Sequence, residues 1–225
     1  MTQASARRGR PRGFDTDSAL EGAMQLFWTR GYEASSMSAL LDAMAIGRSS
    51  FYQSFGSKHD VFVRSMDRYG GQLLEWLRAC LEASPSGLSF FEESFLAVAN
   101  GAHTPGGRRG CLVFNTAAEL GTGDAEVSAR VSASIEAFTD LFEEAARRSQ
   151  REGDMPASLD ARLIGRQAVV LMSGLQTLAK AGLPGDELAV LARTAVGNLG
   201  GAAAAEAFQA VSATDKSRHG GDRSG

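Results

Sequence analysis

The chain has two cysteines, three histidines, five prolines and no apolar run longer than the five residues of Ala168 to Met172. Each scarcity excludes something. Cys80 and Cys111 are too few for a disulfide framework, and His59, His103 and His219 lie far apart in sequence. No Cys/His spacing resembles a metal site, so neither metal nor cofactor is expected. Five apolar residues fall far short of the roughly 20 that a membrane helix needs, so no membrane partner is expected. The N-terminus is basic without an apolar segment behind it, which argues against a secretory signal and for the cytoplasm. No nucleophile, base and acid stand at a catalytic spacing. The glycine-rich stretch 105–110 lacks the Lys-Ser/Thr that a phosphate-cradling loop carries. No catalytic residue is therefore assigned, and an all-α enzyme or small-molecule carrier is a rival without support.

What is present is ordinary in amount and uneven in placement. At 225 residues, 44% hydrophobic and 22% charged, the chain is long enough to bury a real core. Its net charge of −3 hides nine Lys/Arg against seven Asp/Glu in residues 1–68, and fourteen against nineteen thereafter. A mildly basic front on an acidic body suggests that one end meets a polyanion. Residues 1–14 read as a flexible basic arm. Its Arg8-Gly9-Arg10-Pro11 is thin enough for Arg10 to lie in a narrow minor groove, or else is a solvated tail.

The pattern from 16 to 30 is helical, with Ala19, Ala23, Leu26 and Phe27 in register, Asp15 or Thr16 as N-cap and Gly31 as stop. Ser36 can cap a helix to about Ala45 that buries Met37, Leu40, Leu41 and Met44. Ala45-Ile46-Gly47 is the turn, with Gly47 as the residue free to take a conformation others resist. A two-turn helix, about Arg48 to Phe55, turns Phe51 and Phe55 inward and leaves Arg48, Ser49, Ser50, Tyr52 and Gln53 outside. That polar face without negative charge suits a major groove. Gly56 breaks it. Ser57 and Asp60 then form a capping box for the next helix, in which Asp60 reaches back to the Ser57 amide.

These residues resemble the TetR/AcrR family of bacterial one-component transcriptional regulators. The match runs through Phe27, Gly31-Tyr32, Ser35-Ser36, Leu40, Ala43, Ile46-Gly47-Arg48, Ser50-Phe51-Tyr52, Phe55 and Ser57-Lys58. It covers about residues 15–66, with departures at Ala45 and Ser49, where the family often has glycine. The resemblance implies that Arg48, Ser49 and Gln53 face base edges while Ser36, Ser50, Tyr52 and Lys58 hold phosphates. Elementary chemistry agrees: a lysine on a first helical turn adds its charge to free amides. Hydroxyls fix register, and Arg and Gln can make bidentate base contacts.

The expected architecture is all-α. A helix-turn-helix DNA-binding domain occupies 15–66, a helical ligand-binding and dimerisation domain 67–211, and a disordered tail 212–225. Helical patterns occupy 88–100, about 111–120, 124–152, 159–180 and 186–199, and Gly70-Gly71 either kink the helix after Ser57 or are run through. The last two helices carry so much apolar surface that they need cover. The resemblance implies that they pair two subunits, and symmetric half-sites one turn apart, roughly 34 Å, also require a dimer. Trp76, Phe95, Phe114, Phe138, Met172 and Gln176 can line a ligand pocket or form core, with Asn115 and Glu119, one helical turn apart, as its polar handles or facing water. Cys111 opens a helix just after Arg108 and Arg109, both of which favour a thiolate. The string Gly110 to Asn115 resembles one branch of the family, in which some members sense electrophiles or oxidants through a nearby cysteine. Cys111 is thus a sensor and ligand residue or a packing residue. The whole reads as a ligand-responsive repressor that binds a palindromic double-stranded operator as a homodimer and is released by a small-molecule or reactive inducer. An activator or a ligand-independent repressor with the same DNA head is the alternative.

Overall fold

The computed structural model describes residues 15–104, 106–121 and 123–199. Arg10 and the tail from 212 onward lie outside them. Among the described residues there are nine α-helices, one short 3-10 turn and no strand, the all-α class expected. The chain divides into two compact units, residues 1–68 and 69–225.

The first unit holds α1 (Thr16–Arg30), α2 (Met37–Met44), α3 (Arg48–Phe55) and the first part of α4 (Lys58–Ala83). Asp15 caps α1 by accepting from the amides of Asp17 and Ser18 at 3.1 and 3.3 Å. The Ser18 hydroxyl, its main partner, holds its carboxyl below the usual value. Gly31, at φ +82°, ends α1. Ala19, Ala23, Met24 and Phe27 of α1 meet Leu40 and Met44 of α2, Phe51 and Phe55 of α3, and Val61, Phe62 and Met66 of α4 in one buried core. Met37 and Leu41, expected inside, are only half-buried. An eight-residue helix has room for one narrow apolar stripe, and Leu40 and Met44 fill it. Arg68 ties α4 to α1, donating to Glu21 at 2.9 Å.

One expectation about the turn is corrected. Gly47 is extended, at φ −77°, and serves as the N-cap of α3. The left-handed position is taken by Ala45, at φ +53° and ψ +38°, whose amide closes α2 onto Asp42 and Leu41. The C-cap of a helix is where this conformation is demanded, because it turns the chain while satisfying the last carbonyls.

Gly70-Gly71 do not interrupt α4, which runs unbroken for 26 residues. The second unit adds α5 (Gly87–Gly101), the 3-10 turn (Gly107–Arg109), α6 (Leu112–Leu120), α7 (Ala125–Glu152), α8 (Ala161–Ala181) and α9 (Gly185–Leu199). Asp124 and Asp160 cap α7 and α8, and Gly153 and Gly182 end them in left-handed conformations. Phe90, Phe91 and Phe95 of α5 gather round Phe142 of α7 with ring centroids 5.6 to 6.2 Å apart. At Gly165 a Cβ would stand 2.7 Å from the Thr139 carbonyl oxygen, so α8 can lie this close to α7 only with glycine there. Arg162 of α8 reinforces that contact, reaching Asp140 at 2.7 Å, Glu143 at 3.0 Å and also Glu136.

Where α4 gives way to α5, two residues of α7 hold the joint. The Arg148 guanidinium donates to the carbonyls of Leu81, Ser84 and Pro85 at 2.8, 3.0 and 3.1 Å, closing the C-terminal end of α4. Glu152 accepts from the first amide of α5, Gly87, at 2.7 Å and from Arg148 at 2.7 Å. A cation at the carboxyl end of one helix and an anion at the amino end of the next both suit the helix dipoles.

Candidate nucleic-acid interface

The surface of α3 follows from its eight residues. Phe51 and Phe55 are four apart and buried, which turns Arg48, Ser49, Tyr52 and Gln53 outward. Tyr52 is 51% exposed, its ring standing edge-on to Phe51 at 5.3 Å. Ser50 is half-buried at the rim. The helix contains no acidic residue.

The same unit presents two helix starts. Ser36 caps α2 by accepting the Ala39 amide at 3.2 Å and remains exposed, so its hydroxyl proton is available to an outside acceptor. Ser57 and Asp60 make a reciprocal box at the start of α4: the Ser57 amide donates to Asp60 at 2.9 Å and the Asp60 amide to Ser57 Oγ at 3.1 Å. The Ser57 hydroxyl, first among its causes, holds the Asp60 carboxyl below its ordinary value. Gly56, at φ +83°, provides the bend between α3 and this box. Lys58 is the first residue of α4, with Nζ 4.3 Å from the centre of the Tyr32 ring. Basic and hydroxyl groups at two helix N-termini, in one unit with an acid-free helix, are suited to a nucleic-acid backbone and groove.

A family model described as bacterial regulatory proteins, tetR family, matches residues 19–64, and one described as tetracyclin repressor-like, C-terminal domain, matches residues 88–195. A cysteine mutant of the TetR family transcriptional regulator CifR, solved in complex with 26 bp double-strand operator DNA, is similar at 34% identity and a TM-score of 0.73, over 83% of this chain and 98% of that one. The chain belongs to the TetR family. It is a DNA-binding transcriptional regulator. Among curated relatives, the HTH-type transcriptional repressor ComR of Escherichia coli K12 is 27% identical over 190 residues, 83% of this chain and 90% of ComR. The transcriptional regulator AcuR of Cereibacter sphaeroides is 26% identical over 196 residues, 84% of this chain and 89% of AcuR.

The body of this TetR family member places the remaining sequence-selected residues as follows. Phe95 is fully buried in the ring cluster, and Phe138 and Met172 are buried core. Trp76 stands 47% exposed on α4. Phe114 is half-buried on α6. Asn115 is engaged on both sides: its Nδ2 donates to the Arg109 carbonyl at 2.8 Å and its Oδ1 accepts from Lys180 at 2.9 Å. Gln176 Oε1 is buried without a hydrogen-bond donor. The side chains of Asn115 and Lys180 and the backbone carbonyl of Gln176 come together beside Gly110, and Trp76 and Phe95 are not among the residues that meet there.

Cys111 is the N-cap of α6, as its position in the string suggested, but the electrostatic expectation is corrected. Arg108 and Arg109 spend Nε on the carbonyls of Ala102 and Gly106, at 3.0 and 3.2 Å. Cys111 is 1% exposed, and burial pushes its thiol up despite the amides of Phe114 and Val113 and a hydrogen bond with the Tyr69 hydroxyl. Burial is also the main cause that raises Tyr69, well above its usual value. Cys80 is half-buried and raised as well, by burial first and the Glu93 carboxylate second.

Two sets of contacts are not legible from the sequence alone. Tyr32 stands out there only as part of the Gly31-Tyr32 pair, and nothing local shows that its ring meets Lys58. The Arg148–Glu152 pair is visible as a four-residue helical spacing, but its targets lie more than 60 residues away in sequence.

Proposed function

We propose that the chain is a ligand-responsive transcriptional repressor that binds a palindromic operator as a homodimer. The acid-free outer face of α3, in one unit with Ser36 and Lys58, carries this reading. Arg48, Ser49 and Gln53 read base edges. Ser36, Ser50, Tyr52 and Lys58 hold phosphates, and Arg10 of the arm reaches the minor groove. CifR's complex with operator DNA and ComR's designation as a repressor support the same direction.

The dimer rests on α8 and α9. Val170 and Val190 are 69% and 63% exposed, and Leu163, Leu178 and Leu191 are also bared. Between the helices runs a groove of about 420 Å³, lined by Leu163, Arg166, Gln167, Val170, Leu171, Ala195, Asn198 and Leu199. Exposed large apolar side chains on two neighbouring helices call for a partner, and a second copy completes a four-helix bundle. The inducer site belongs to the body, around Asn115, Gln176 and Cys111, with Phe114, Phe138, Met172, Phe95 and Trp76 nearer or farther from it. Cys111 enters it as a packing residue. Coupling follows linkage: an inducer that favours the non-binding arrangement weakens operator binding by the factor by which operator weakens inducer binding, and a few kcal/mol gives ~100-fold release. No described helix is long and apolar enough to cross a membrane, and the cytoplasm is the proposed location. No catalytic role is assigned.

Binding titrations of substituted proteins test the assignment. Lys58→Ala weakens all duplexes about equally, whereas Gln53→Ala relaxes preference at one position, by about 1–3 kcal/mol against the wrong base. An unchanged preferred site in Gln53→Ala would remove Gln53 from base readout.

A further inference from the structure

Lys58 starts α4, and the residue one turn on along the same face is Phe62. The Tyr32 ring meets both: Lys58 Nζ lies 4.3 Å from its centre, and the Phe62 ring 4.8 Å away at 49°. Phe27 of α1 closes the set, 6.1 Å from Tyr32 and edge-on to Phe62 at 5.0 Å. The backbone beneath Tyr32 is held as well. Gly31 turns the chain out of α1, and the buried Ser35 returns to it, donating its hydroxyl to the Gly31 carbonyl at 2.6 Å and its amide to the Tyr32 carbonyl at 3.1 Å. Tyr32 is therefore a ring fixed by two aromatic neighbours and a closed turn, presented to a lysine.

We propose that Tyr32 is a positioning residue for operator binding, its ring holding the Lys58 ammonium at the start of α4 in readiness for a DNA phosphate. The proposal rests on Lys58 being a phosphate ligand. A lysine side chain in water spreads over many rotamers, and ordering it on binding costs affinity. A cation held over a π-face has part of that ordering done beforehand. The ring attracts the charge without using up its N–H donors as a carboxylate would, so the ammonium remains competent to bond a phosphate. Asp60, the acid two residues on, is engaged with the Ser57 hydroxyl and amide. This explains why an aromatic residue, and not an acid, stands beside a lysine destined for DNA.

A double-mutant cycle on the full-length protein decides it, using a duplex selected from random sequence and titrated over a range of salt. Lys58→Met reduces the slope of log K against log salt by about 0.9 for each phosphate that is no longer neutralised. Tyr32→Leu weakens binding about two- to fivefold per head, the strength of an exposed cation–π contact. In the Lys58→Met background Tyr32→Leu adds nothing. Equal losses from Tyr32→Leu in both backgrounds would overturn the proposal, because a ring that only packs acts regardless of the lysine. A Lys58→Met protein with unchanged slope would instead show that Lys58 is no phosphate ligand, and the proposal would fall with that assignment. Should Tyr32→Leu not fold, the wild-type chain supplies the readout. With only Lys58, Lys180 and Lys216 to assign, the ε-methylene protons of Lys58 are expected upfield of the other two through the ring current. Shifts identical to the other lysines would overturn the positioning role.

Discussion

Ala45 holds the turn between α2 and α3 at φ +53°, a region in which an L side chain crowds its own carbonyl. The cost is about 1 kcal/mol, and glycine, the residue the family often has there, avoids it. Ala45→Gly is thus expected to raise unfolding stability by about 1 kcal/mol; an unchanged or lower midpoint in urea would show that the left-handed turn carries no strain. Cys111 teaches the complementary lesson. Its place at the start of α6 was legible in the sequence, but its 1% exposure was not, nor was the direction in which Arg108 and Arg109 point. Sequence neighbours need not be electrostatic neighbours, and a raised, buried thiol is a poor nucleophile. In native protein near neutral pH, a thiol-alkylating reagent should modify the half-buried Cys80 well before Cys111. Mass spectrometry showing Cys111 modified first would restore the sensing role.

At the scale of elements, the helices were readable because their signals are local. Asp15, Ser36 and Ser57 as caps, Gly31 as a stop and Gly56 as a break all sit within a turn of the ends they mark. The α4–α5 joint was not readable, since its supports come from α7. Arg148 satisfies three carbonyls there, so Arg148→Met should cost about 2 kcal/mol, the scale of losing hydrogen bonds from a charged donor. Glu152 adds a pH dependence. The Gly87 amide first, and Arg148 second, hold its carboxyl below the ordinary 4.5. A depressed folded value means that the stabilisation is fully present above the unfolded value and is lost as pH falls through the folded one. Glu152→Gln is therefore expected to be less stable than wild type at pH 7, with the difference closing as the medium is acidified below about pH 4. Chemical unfolding at the two pH values measures this, and a constant difference would show that the charge contributes nothing.

For the whole molecule, the DNA head was the more legible half, because short-range spacing settles which face of α3 is buried and which is polar. The regulatory half was legible as helices and opaque as a site. Phe95 and Phe138 pack into the core, Trp76 stands exposed, and Asn115 meets Lys180 beside the Gln176 backbone carbonyl. Aromatic residues on amphipathic helices serve core and pocket alike, so periodicity cannot separate the two. The apolar bareness of α8 and α9 was legible in kind, and its exposed part, centred on Val170 and Val190, became visible only once the core had taken its share. The central claim joins both halves: two copies, paired through α8 and α9, present two α3 helices to one duplex. Selection of bound duplexes from a random-sequence pool tests it most directly. The expected outcome is two inverted half-sites whose centres lie about one helical turn apart. Enrichment of a single asymmetric half-site, or of no sequence at all, would contradict the account.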